Sequence, residues 1–169
     1  MVMELKGEEC PICHLKSLVL REDEMDIPHF GKCYLLTMKC EKCSYHKTDV
    51  EAAEQRKPIK VTLKVDSEED MNIRVIKSGE AAVKIPRIIT IEPGPASEGY
   101  ITNVEGLLTR VKEAIQTSIN DEEDEEVQKK GKKLLKKLTD VTLGRDSLII
   151  TIEDPTGNSE IISDKAERK

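Results

Sequence analysis

The sequence predicts a mainly β chain with a helical insertion, in which a small metal-stapled β module precedes a larger β domain. Three observations predict it. Two Cys-x-x-Cys pairs, Cys10-Pro-Ile-Cys13 and Cys40-Glu-Lys-Cys43, stand 26 residues apart. From Pro58 to Glu92, apolar residues recur at the period of strands. From Thr102 to about Leu138 the period becomes helical, and strand patterning returns at Ser147.

Residues 1 to about 57 make the first module. Each Cys-x-x-Cys is a tight knuckle whose sulfurs converge, and the insert is long enough for a hairpin to bring both knuckles onto one ion. Four thiolates close a tetrahedron around Zn²⁺ and leave no position for substrate. Cys10, Cys13, Cys40 and Cys43 are therefore expected to hold one structural zinc. Backbone N–H groups, with Lys16 and Lys42 nearby, can offset the site's negative charge. Disulfides are the alternative. Against them stand the paired spacing, the odd total of five cysteines and a start, Val2 to Gly7, without an apolar leader stretch. Ser17–Glu24 and Lys32–Lys39 read as strands joined through Met25–Gly31, where Pro28 and Gly31 mark a turn, and Tyr45–Val50 reads as a third strand. Such a zinc ribbon uses the ion in place of a core too small to hold by itself, so removing zinc should unfold residues 1 to about 57. Cys33 falls outside the knuckle spacing and reads as a small core residue. His14, His29 and His46 all lie in this module, but four cysteines already complete the ligand set.

From Pro58 to 163 the chain reads as a β domain. Ile59, Val61, Leu63 and Val65 alternate with polar residues in one strand, and Asn72–Lys77, Ala81–Ile85 and Arg87–Glu92 follow. Pro93–Gly99 is a loop. Thr102-Asn-Val-Glu105 has the form of a capping box, after which Val104, Leu107, Leu108, Val111 and Ile115 make one apolar stripe. A second helix is predicted from about Glu122 to Leu138, with Val127, Leu134, Leu135 and Leu138 on one face. Six acids, Asp121 to Glu126, open it, and six lysines lie between Lys129 and Lys137. That polarity suits the helix dipole and places acids four residues before lysines. Gly131 weakens its middle. Joined through Ile119-Asn-Asp121, the two helices form an antiparallel hairpin at about 102–139. Ser147–Glu153 and Glu160–Ser163 are strands joined by the turn Asp154–Ser159, and residues 164–169 read as a frayed polar tail. Strands on both sides of the hairpin require the sheet to close across it, as in a β sandwich or barrel.

Composition excludes several functions. No run approaches the roughly 20 apolar residues of a membrane-spanning helix. The net charge of −6, and 10 basic against 11 acidic residues over positions 1–60, give no basic footprint for nucleic acid. Phe30, Tyr34 and Tyr45 are the ribbon's only aromatic residues for stacking on bases. The β domain holds no histidine, which argues against a His/carboxylate metal site, and no nucleophile–base or P-loop pattern appears. The expectation is a non-enzymatic protein in the cytoplasm, where thiols stay reduced.

Several short motifs fall in one order along nearly the whole chain. They are Cys10-Pro-x-Cys13, Ile27-Pro-His-Phe30, Cys40-x-x-Cys43 with Tyr45, Lys77-Ser78, Ile85-Pro86, Thr102-Asn-Val-Glu-Gly-Leu-Leu108 and Asp154-Pro-Thr-Gly-Asn-Ser159. In this set the chain resembles the ZPR-type zinc-finger proteins, in a single-copy form like that of archaea. It departs from them at Ser44, where many members have Gly, and at Arg87, where an acid is common. The resemblance implies a four-cysteine zinc ribbon followed by a jelly-roll-like double-stranded β-helix domain with a helical hairpin. It also implies binding to translation elongation factor 1-alpha as a folding or assembly factor. A nucleic-acid-binding zinc ribbon acting in transcription or translation is the alternative. The Asp154–Ser159 segment reads first as a turn, and through the resemblance as a latch or partner edge.

Overall fold

The computed structural model describes residues 2–28, 30–54 and 56–169. His29 lies outside them. The N-terminal module is one antiparallel sheet of strands β1 (Val2–Glu9), β2 (Lys16–Ile27), β3 (Gly31–Cys40) and β4 (His46–Ala52), in that spatial order. The long central strands follow from β-branched and aliphatic residues set against charged ones, which satisfy one covered face and one wet face. β2 and β3 pair from Leu18↔Cys40 to Ile27↔Gly31, so the expected excursion at 25–31 narrows to a turn that Gly31 closes at φ +92. β1 is an addition to the predicted set, and all eight of its residues are exposed.

The β domain has two sheets. One has the order β12-β5-β10-β7-β8, from β5 (Ile59–Val65), β7 (Ala82–Ile85), β8 (Ile89–Ile91), β10 (Leu148–Asp154) and β12 (Glu167–Arg168). The other, β11-β6-β9, is built from β6 (Arg74–Lys77), β9 (Tyr100–Asn103) and β11 (Glu160–Ile162). β10 pairs with both β5 and β7, and β11 pairs with β6, so the sheets do close across the helices. Val61, Leu63, Val75, Val83, Ile150 and Ile152 fill the core against helix α1 (Val104–Asn120).

Several expectations need correction. The strand expected at 72–77 starts later, because Glu69–Asn72 form a 3-10 turn in which buried Asp70 accepts from the Asp66 and Ser67 amides (3.0 and 3.2 Å). The strand expected from Arg87 begins at Ile89, since Arg87 occupies the left-handed region (φ 63) of a tight turn. The cap of α1 is Asn103, the last residue of β9, whose side chain accepts from Gly106 N at 2.8 Å, while Thr102 lies one residue earlier in the strand. Gly, with no side chain to reach back, takes the place a capping-box Glu would need. Helix α2 (Glu125–Thr142) starts at the Asp124 cap and runs past Leu138 to bury Val141. Val127, expected on its apolar face, is 40% exposed. Gly131 is buried at the crossing with α1, where a Cβ would collide with the Ile119 side chain. Finally, 164–169 is not a frayed tail. Ala166 is buried, β12 pairs with β5, Lys169 and Lys60 exchange two backbone bonds at 2.9 Å, and Lys165 contacts Asp70 at 2.7 Å. Polar composition hid a segment held by backbone pairing.

Candidate metal centre and its seam with the β domain

The two knuckles are near copies of each other. In the first, Cys10 N donates to Leu15 O (3.0 Å) and Ile12 N to Cys10 Sγ (3.4 Å). In the second, Cys40 N donates to Tyr45 O (2.8 Å) and Lys42 N to Cys40 Sγ (3.3 Å). Each closes through a left-handed residue just after its second cysteine, His14 at φ 57 and Ser44 at φ 60. A side chain there is mildly unfavourable, which explains why glycine suits the position Ser44 fills.

This folding brings Cys10, Cys13, Cys40 and Cys43 together, with all four sulfurs within 4.8 Å of one another. Cys10 and Cys43 Sγ lie 3.5 Å apart, and Cys13 and Cys40 Sγ 3.7 Å. Sulfurs at a Zn–S distance of about 2.3 Å stand about 3.8 Å apart along the edges of a tetrahedron, whereas a disulfide needs about 2.05 Å. The four cysteines are unbridged, and the cluster fits one Zn²⁺. Ser17, not anticipated, sets its hydroxyl 3.2 Å from Cys40 Sγ. That contact, helped by the Lys42 and Cys43 amides and opposed by burial, pulls the Cys40 thiol down to about 6, towards the thiolate a metal requires. His14 and His46 point elsewhere, to Glu9 and Glu98. Cys33 is buried with Ile27, Phe30, Val50 and Ile76, and burial pushes its thiol up, as suits a core residue.

Family models for the ZPR1 zinc-finger domain and the ZPR1 jelly-roll domain match residues 2–58 and 69–169. An uncharacterized ZPR1-like protein of Methanocaldococcus jannaschii is 39% identical over 163 residues, covering 95% of this chain and 82% of its own. This chain belongs to the ZPR1 zinc-finger family. The zinc finger chaperone zpr1 of Schizosaccharomyces pombe is 32% identical over 139 residues, and zinc finger protein ZPR1 of Mus musculus 29% over 155. The chain spans 30% and 32% of those two proteins and is itself matched over 80% and 85%.

Three of the ZPR1 motifs, at 27–30, 77–78 and 154–159, share one location, the seam where the ribbon meets the β domain. Ile27 and Phe30 end the ribbon hairpin in one small core with Ile76 of β6. Arg56, which sequence reasoning missed, lies over the Phe30 ring at 4.1 Å and donates to the Phe30 carbonyl. Ser78 and Ser159 hydroxyls donate to Asp154 (2.8 and 2.5 Å), and Ser78 N donates to Ser159 Oγ (2.9 Å). Asn158 Oδ1 then reaches across to accept from Ala52 N of β4 (3.1 Å). Asp154–Ser159 is thus a turn and a latch at once. Beside it, Asp49 of β4 accepts from Gly79 N (2.7 Å), and Gly99 N donates to Thr48 O (2.8 Å). A Cβ at Gly99 would strike Asp49 and the Val50 amide, so the two segments meet there backbone to backbone. Lys77 is buried under this seam with its ammonium on Ser78 O (2.9 Å) and Glu98 O (3.3 Å), and burial lowers its pKa. Asn158 belongs to the motif at 154–159, whereas Asp49 carries no sequence signal, because an acid on a strand is ordinary on any surface.

Proposed function

We propose that this protein is a zinc-stabilised, non-enzymatic interaction module of the cytoplasm that binds translation elongation factor 1-alpha and assists its folding or assembly. The observation that carries this reading is a closed four-sulfur cluster in a chain whose homology to a zinc finger chaperone runs through both domains. A saturated metal site offers no position for substrate, which leaves stabilisation as its task. The centre keeps the ribbon folded, and the seam fixes the ribbon against the β domain. Together they present two connected surfaces, the ribbon sheet and the helical hairpin, on which an incompletely folded GTPase could rest. Among the described residues no helix is long and apolar enough to cross a membrane.

The test uses purified elongation factor 1-alpha from the source organism, diluted from denaturant with and without zinc-loaded protein, and a pull-down in which a Cys40→Ser variant is the control. Zinc-dependent capture and a higher refolding yield support the reading. The absence of both capture and improved yield refutes it.

A further inference from the structure

β1 is the outer strand of the ribbon and, among the described residues, pairs on one side only, with β2. Its free edge offers unpaired backbone N–H and C=O groups. Its side chains divide cleanly. Leu5 pairs with Leu20 and Leu20 with Met38, while Met3 pairs with Glu22 and Glu22 with Leu36. Met3, Leu5, Leu20, Leu36 and Met38 thus share one face and line a shallow apolar cleft, with Met3 and Leu5 more than half exposed. The opposite face of β1 carries Glu4 and Lys6, which contact each other at 2.9 Å.

This strand is complementary to itself. In an antiparallel pair of identical strands centred on Leu5, Glu4 of each copy opposes Lys6 of the other, and Leu5 meets Leu5. Centring on Glu4 or on Lys6 sets two like charges together, which is unfavourable. A shift by one residue turns one copy's apolar row to the wrong face and divides the cleft. The breaks in register fall beyond Lys6, at Lys6/Glu8 and Glu8/Glu9, and leave Met3–Lys6 regular. We propose that β1 is a homodimer edge, at which two copies pair antiparallel about a two-fold axis through Leu5. The four-stranded ribbons then form one continuous sheet with a single apolar strip along it. Isologous closure leaves no free β1 edge, so assembly stops at two.

Sedimentation equilibrium of the full zinc-loaded chain at low salt tests this, with Glu4→Lys, Lys6→Glu and Leu5→Arg variants. These side chains are exposed, so fold and zinc content should be unchanged, as circular dichroism and metal analysis will check. Wild type is expected to dimerise, with each variant alone dissociating about tenfold more readily. Glu4→Lys mixed with Lys6→Glu should recover a heterodimer, because every opposed pair is then again of opposite sign. A wild-type monomer throughout the high-micromolar range, or a dimer indifferent to these changes, overturns the proposal. Because no client takes part, the outcome is independent of the elongation-factor reading.

Discussion

Asp154 closes the latch between ribbon and β domain, and removing its carboxylate should loosen both. The group is 2% exposed and accepts four hydrogen bonds, from Ser78 Oγ (2.8 Å), Ser159 Oγ (2.5 Å), Thr156 N (2.8 Å) and Thr156 Oγ1 (2.7 Å). In Asp154→Ala, Thr156 is partly exposed and its hydroxyl can turn to water, but Ser78 and Ser159 are buried. Each buried hydroxyl left without its acceptor costs about 1–3 kcal/mol. The expected loss is therefore about 2–6 kcal/mol in zinc buffer at pH 7, read as a lower urea midpoint. Ser78 and Ser159 donate to the same oxygen, so Asp154→Asn, with its amide oxygen turned to them, keeps both acceptances and should lose less than Asp154→Ala. Burial alone would raise the Asp154 pKa, yet the hydrogen bonds from Ser159, Thr156 and Ser78 prevail and hold it below the ordinary 3.8. The folded state thus binds its proton less readily than the unfolded chain. The stabilisation is present above pH about 4 and is lost as pH falls through the depressed folded value, so the gap between wild type and Asp154→Asn should narrow there. Equal losses for Ala and Asn, or a loss below about 1 kcal/mol for Ala, would refute this account of the latch.

Three further outcomes are expected. Gly131→Ala, which in an exposed helix would stabilise by about 1 kcal/mol, should here destabilise by about 1–2 kcal/mol through collision with Ile119. Adding Ile119→Ala should make the change at 131 favourable again in a double-mutant cycle of urea midpoints. Ser17→Ala should weaken zinc about tenfold in competition with a chromophoric chelator, since it removes the hydroxyl beside Cys40 Sγ. Stripping zinc should expose the amides of Leu18 and Cys40 to hydrogen exchange before those of Cys33 and Val50, while the helical circular dichroism signal persists.

The four sulfur ligands were legible because their spacing is itself the geometry: a knuckle needs two cysteines three apart, whatever surrounds them. The strands of the β domain and the stripe of α1 were legible through period, since burial on one face imposes it. What escaped depends on partners distant in sequence. Polar residues after Ile162 gave no sign that backbone bonds to Lys60 would hold them. Gly131 looked like a weakness because propensity is local, whereas its reason is a side chain on the other helix. Thr102 and Asn103 are both good caps, and only the end of β9 decides between them. β1 was missed because its alternation, Met3-Glu4-Leu5-Lys6, is only four residues long and buries nothing.

The two ends of the ribbon are held by different forces, and this alters what the zinc must do. At one end, among the described residues, Leu18 and the cysteines pack with Leu20, Met38 and Tyr45, an apolar cluster too small to survive without the ion. At the other, Ile27, Phe30, Cys33 and Val50 join Ile76 of the β domain, and Ala52 is bound to Asn158. β2 and β3 span about 30 Å between these ends, at about 3.3 Å per residue across the ten paired positions from Leu18 to Ile27. A ribbon standing alone would unfold whole when zinc leaves. One anchored at its far end should instead fray from the knuckles inward, with β1 released first because it neither reaches the seam nor buries a residue. The metal therefore controls the free surface of the ribbon more tightly than it controls the fold as a whole.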